Sequence, residues 1–117
     1  MTGIVWPDAT LDRMTADFEA VTLFVTEANG QARQVRCEGH VSFAVVGFWD
    51  EVIIERANLF DEHPAIEAAW SAIRRRLGQQ PDDTGNAARN QRRWSCLVIR
   101  FIDGCELTVV ASSFTVS

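Results

Sequence analysis

Residues 61–78 (DEHPAIEAAWSAIRRRLG) limit the possible folds more than any other stretch. They place Ile66, Ala69, Trp70, Ile73 and Leu77 at spacings i, i+3, i+4, i+7 and i+11, the single apolar stripe of a 3.6-residue period. Asp61 stands where an N-cap belongs, and Pro64 lies in the first turn, where its missing N–H costs nothing. Glu62 and Glu67 sit toward the positive end of the dipole, residues 74–76 (all Arg) at the negative end, and Gly78 supplies the C′ stop. The pattern predicts one long helix over about 62–77. Burying Ile66, Trp70, Ile73 and Leu77 contributes roughly 6–12 kcal/mol gross, comparable with the ~5–15 kcal/mol net stability of a domain. The helix therefore belongs to the core.

Elsewhere the apolar residues come in short runs rich in Val, Ile and Phe, which suit strands. Residues 21–25 and 34–37 flank Ala28-Asn29-Gly30-Gln31, and Asn-Gly favours a two-residue type I′ hairpin turn. In that register Phe24 faces Val35. Gly39 breaks the chain before a third strand over 41–48. Residues 50–60 read as a helix by the spacing of Val52, Ile53, Ala57 and Phe60, and as a strand by the β-branched Val52-Ile53-Ile54; the strand reading is preferred. A second hairpin joins 94–102 to 105–116 around Asp103-Gly104. Leu11, Met14 and Phe18 would share a face of a short helix starting after Thr10. No internal repeat is evident. The expected fold is α+β: a largely antiparallel sheet of about 5–6 strands with the helix packed on one face, in a single domain covering residues 1–117.

Both faces of the C-terminal hairpin are apolar. Cys96, Val98, Leu107 and Val109 fall on one side, and Leu97, Ile99, Phe101 and Val110 on the other. A helix about 10 Å across shields one side only. The remainder falls to residues 49–60, to curling of the sheet, or to a homodimer formed through the sheet.

Composition narrows the function classes. The net charge is −5, with twelve acids and four Arg in residues 1–73 but six Arg and two Asp in residues 74–93. An acidic chain disfavours general nucleic-acid binding and suits a partner protein with a basic surface. No run approaches the ~20 apolar residues that span a bilayer, and the first residues lack the basic and apolar regions of a secretory signal. Three cysteines, an odd number, argue against a disulfide framework. The expected compartment is the cytoplasm, with no membrane partner.

Two candidate sites stand out. Gly47-Phe48-Trp49-Asp50-Glu51 sets aromatics beside acids, and Trp49 rimmed by Asp50 and Glu51 is a plausible partner-binding hot spot. Residues 79–93 form a long polar loop, where Arg89, Arg92 and Arg93 can gather around an anion or a nucleotide. Cys37-x-x-His40 has metal-like spacing but lacks a second pair, so no metal is expected. No nucleophile-elbow, zinc-protease, phosphate-loop or dinucleotide pattern occurs, which leaves no catalytic residue and no cofactor to assign. The expectation is a small protein-binding module, of which an inhibitor or immunity-type protein is one concrete form. Anion binding at the Arg loop is the alternative.

Overall fold

The computed structural model describes residues 3–40, 42–46, 52–77 and 94–117. Eight strands and one helix follow in the order β1 (Thr10–Ala16), β2 (Ala20–Thr26), β3 (Ala32–Glu38), β4 (Ser42–Val46), β5 (Ile54–Phe60), α1 (Pro64–Leu77), β6 (Ser95–Phe101), β7 (Glu106–Ala111) and β8 (Ser113–Val116). They form two four-stranded sheets, β1-β2-β3-β8 and β4-β7-β6-β5, with antiparallel pairing throughout. The α+β expectation holds in outline. One sheet of five or six strands becomes two sheets packed face to face, and the long helix becomes a fourteen-residue one.

The second sheet resolves the excess of apolar surface. Alternation along β2 sends Val21, Leu23 and Val25 inward, and β3 adds Val35 and Cys37. From the other sheet Leu97, Ile99, Phe101, Leu107 and Val109 meet them in one buried cluster. The outer face of β6 and β7 carries Cys96, Val98 and Val110, which lie under Ala69, Trp70, Ile66 and Ile73 of α1. Trp70 meets Trp94 edge-on at 5.7 Å between ring centroids, a favoured aromatic geometry. Both faces of the C-terminal hairpin are thus covered within one chain. The register also corrects the assigned faces: Leu97 opposes Val109 and Ile99 opposes Leu107.

The cap of α1 differs from the sequence reading as well. Nδ1 of His63, not Asp61, accepts the Ala65 N–H at 3.0 Å, since Pro64 opens the helix and puts His63 in the capping place. Asp61 instead accepts the Ser95 hydroxyl at 3.1 Å, tying the helix entry to β6.

Residues 27–31 and 101–105 make the same turn. Gly30 N–H donates to the Glu27 carbonyl at 2.8 Å and Gly104 N–H to that of Phe101 at 3.0 Å. The Asn29 and Asp103 side chains each accept a backbone N–H two residues on, both at 2.9 Å. Only the glycine takes positive φ, +92° in both. These are three-residue loops ending in a left-handed glycine, not two-residue type I′ turns. The added residue shifts the register, so Phe24 faces Gln34 and Leu23 faces Val35. Residues 10–16 are strand, not helix, and Phe18 sits in the next turn.

The chain is in fact built twice over. Each half is a three-stranded meander, β1-β2-β3 and β5-β6-β7, whose third strand bends and continues, into β4 and into β8. The first strand of each is bulged at an acid between an apolar residue and an arginine, Leu11-Asp12-Arg13 and Ile54-Glu55-Arg56. The continuations read Ser42-Phe43-Ala44-Val45 and Ser113-Phe114-Thr115-Val116. The pairings correspond under exchange of the halves, β3–β8 with β7–β4, the arrangement a two-fold axis produces. Thr10 bridges Ile53 where β1 meets β5. The long bent strands pair β3 with β8 and β4 with β7.

Candidate protein-interaction edge

Exposed apolar side chains include Phe18 on the β1–β2 turn and Phe43 and Val45 on β4. The β1–β2 turn is held by Asp17, whose carboxylate accepts the N–H of Glu19 at 2.8 Å and of Ala20 at 2.9 Å. The Ala20 and Glu19 N–H groups, in that order, hold its carboxyl below the usual range, with smaller help from Arg36 and His40 against a slight opposing desolvation. Phe18, between these anchors, is fully exposed. The backbone is fixed while the ring lies in water.

Beside this turn the bent strand crosses from one sheet to the other. Gly39 N–H donates to the Glu19 carbonyl at 3.3 Å, and Ser112 N–H donates to that of Glu38 at 3.0 Å. Gly39 has φ +64°, and a Cβ there would collide with the Ser112 hydroxyl, so both conformation and space demand glycine. His40 follows, half-buried, with Nδ1 buried and lacking a hydrogen-bond partner among the described residues. Its ring tilts against Phe43 at 6.3 Å between centroids.

β4 then runs along the edge of the second sheet. Phe43 opposes Val109 and Val45 opposes Leu107, so both lie on the face that forms the buried interior. Yet Phe43 remains 43% and Val45 36% exposed. The strand reads SFAVV, with no charge and no proline. Among the described residues no strand pairs with its outer edge. The edges at β1 and β5 differ in part, although Leu59 and Phe60 at the far end of β5 are also exposed. Each edge carries a bulge and charged residues, and they bind one another through Asp8 N–H to Ile54 O, Ile54 N–H to Ala9 O and Leu11 N–H to Val52 O at 2.7–2.9 Å.

Ile4, Trp6 and Ala9 enter the interior ahead of β1. Buried Glu27 accepts the Arg33 Nε–H at 3.1 Å and the Val5 N–H at 3.2 Å. A nearby groove of about 350 Å³ is lined by Asp12, Arg13, Phe24, Arg33 and Gln34 among others. Its cations are engaged, Arg13 over the Phe24 ring at 4.0 Å and Arg33 on Glu27. The Asp12 carboxylate accepts the Thr26 hydroxyl at 2.5 Å. A hollow of about 490 Å³ at the start of α1 is lined by Asp61, Glu62, His63, Pro64, Ile66 and Glu67.

Of the site residues read from sequence, Trp49, Asp50 and Glu51, and likewise Arg89, Arg92 and Arg93, lie outside the described residues. Cys37 and His40 are described, and no group of three His, Cys, Asp or Glu side chains able to hold a metal occurs among the described residues. The cysteines are buried. Burial pushes the Cys37 thiol up to about 12 and the Cys96 thiol to about 11, which removes them as nucleophiles near neutral pH. Phe18 and Phe43 were missed as exposed residues. The only signal was local: an Asp followed by a turn, and a charge-free strand after a glycine. No family model matches the chain, and comparison with curated proteins and with solved structures returned no match.

Proposed function

We propose that this protein is a small protein-binding module, with an inhibitor or immunity-type protein acting on a basic partner in the cytoplasm as its concrete form. The observation that carries the reading is the exposure of Phe18, Phe43 and Val45 on a fixed turn and an uncharged strand. An exposed aromatic on a rigid backbone loses little entropy when it docks, and one such ring can dominate an interface. The net charge of −5 favours a basic surface and faster encounter at low salt. In sequence, β4 leads directly to Trp49, Asp50 and Glu51, which extend the same aromatic and acidic character. The anion-binding alternative at Arg89, Arg92 and Arg93 gains no support from the described groove, whose arginines are already paired.

A photo-crosslinking residue at Phe18 should capture a basic protein that the same residue at Thr115, exposed on the edge strand β8, does not. With that partner in hand, Phe18→Ala should speed dissociation at least about tenfold and leave the thermal melt unchanged. Added salt should slow association of the wild type. A partner that binds Phe18→Ala and Trp49→Ala as tightly as wild type would remove the reading.

A further inference from the structure

The uncharged strand β4 resembles an interface with one side missing, and its twin shows what that side should supply. Within the repeated halves β8 is the counterpart of β4, and both read Ser-Phe-x-Val. Phe114 and Val116 pack into the interior cluster together with Ile4 and Trp6. Val116 also lies against Gly3, whose Cβ position is 3.3 Å from it. At β4 the same two positions, Phe43 and Val45, remain half-exposed.

We propose that the missing side is a second copy of this chain, its β4 added antiparallel to the first about a two-fold axis at Ala44. The inference rests on reading this edge as a protein-contact surface and names its occupant. Three features favour a second copy over a foreign strand. The pairing is self-complementary: Phe43 falls opposite the partner's Val45, an aromatic against a β-branched side chain, which is a favourable cross-strand pair. Each chain carries a net charge of −5, but the paired segment Ser42–Val46 holds no charge, so no like charges meet across the ladder. A two-fold pairing also closes on itself, because it uses the free β4 edge of both copies. The two second sheets would become one continuous eight-stranded sheet. Phe18, on its turn outside the ladder, is not consumed.

Five paired residues a side make an interface at the small end of the known range, so the dimer should be weak and concentration-dependent. Sedimentation equilibrium from about 10 to 500 µM should show a monomer–dimer equilibrium typical of small interfaces. Val45→Lys should raise the dissociation constant at least about tenfold with the melt retained. A second measurement does not depend on tolerance of that lysine. Directly opposed residues have Cα atoms about 4.5–5.5 Å apart, within the range of about 4.4–6.8 Å that a disulfide spans. Ala44→Cys should therefore oxidise to a covalent dimer much faster than Thr115→Cys, the native thiols being buried. A monomer at every concentration, or equal crosslinking rates, would overturn the second copy. If the chain stays monomeric while Phe18 still captures a basic protein, the second copy falls and the protein-binding reading stands.

Discussion

Ser42-Phe43-Ala44-Val45 and Ser113-Phe114-Thr115-Val116 hold the same place in the two halves of the molecule, yet one pair of apolar side chains is covered and the other is not. The strands are nearly identical, so the difference arises from their surroundings. Gly3 lies against Val116, and Ile4 and Trp6 join the cluster on which Phe114 and Val116 pack, whereas no described segment is seen to do this for β4. The outer faces differ in the same way. The first sheet shows water Thr15, Arg36 and Thr115, whereas the second carries Cys96, Val98 and Val110 and needs α1 above them. A duplicated framework has been finished differently on its two sides, and the unfinished edge is where binding is proposed.

The largest expected effect breaks the cover unique to the second half. Trp70→Ala should destabilise the protein by about 3–5 kcal/mol, whereas exposed Arg75→Ala should stay within about 0.5 kcal/mol. Equal losses in denaturant melts would show that the helix is not held by this face. Next comes the twin strands themselves. Phe114→Ala should cost about 2–3 kcal/mol and Phe43→Ala less than about 1 kcal/mol in the monomer. Similar values would mean that the two edges are covered alike. The repeated turns should respond as a matched pair. Gly30→Ala and Gly104→Ala should each cost about 1 kcal/mol, because both glycines have φ +92° and open space at the Cβ position, so backbone strain alone is felt.

The smallest effect fades in acid. The Asp17 carboxyl titrates below its ordinary 3.8 in the folded state. Its contribution is therefore present above that value and fades as pH falls through the lower folded one. Asp17→Asn should lower stability modestly near neutrality, and its difference from wild type should shrink as pH falls below about 4. A difference that stays constant into acid would assign the turn's order to another group.

Local chemistry was readable in the sequence. The stripe Ile66, Ala69, Trp70, Ile73 faces the sheet as its spacing implies, and both glycine turns fall where Asn29-Gly30 and Asp103-Gly104 stand. The strand preference of Val52-Ile53-Ile54 led to β5. What the sequence could not disclose is pairing between distant residues. Nothing local tells β3 to take Val116 as a neighbour, or tells residues 105–116 to change sheets at Ser112 rather than run on as one strand. The repeat was hidden because its shared features are three short signatures at unequal spacing, with α1 set into one half only. The exposed edge escaped notice for the same reason. Phe43 and Val45 alternate like core residues, and only the position of β4 at the end of a sheet leaves them in solvent.

The bend shared by Gly39 and Ser112 also fixes the order in which the molecule can assemble. Hairpins β1–β2, β2–β3 and β6–β7 close short loops and can form within microseconds. The ladder joining Val35 to Val116 closes a loop spanning most of the chain, and no local contact can substitute for it. Such non-local closure is slow because its loop entropy must be met before any contact compensates it. On a ribosome, the first meander would therefore emerge with β3 unpaired on its outer side and wait for the last strand to arrive. The inner residues of that meander, Val21, Leu23, Val25 and Val35, would stay open to water or to a chaperone until then.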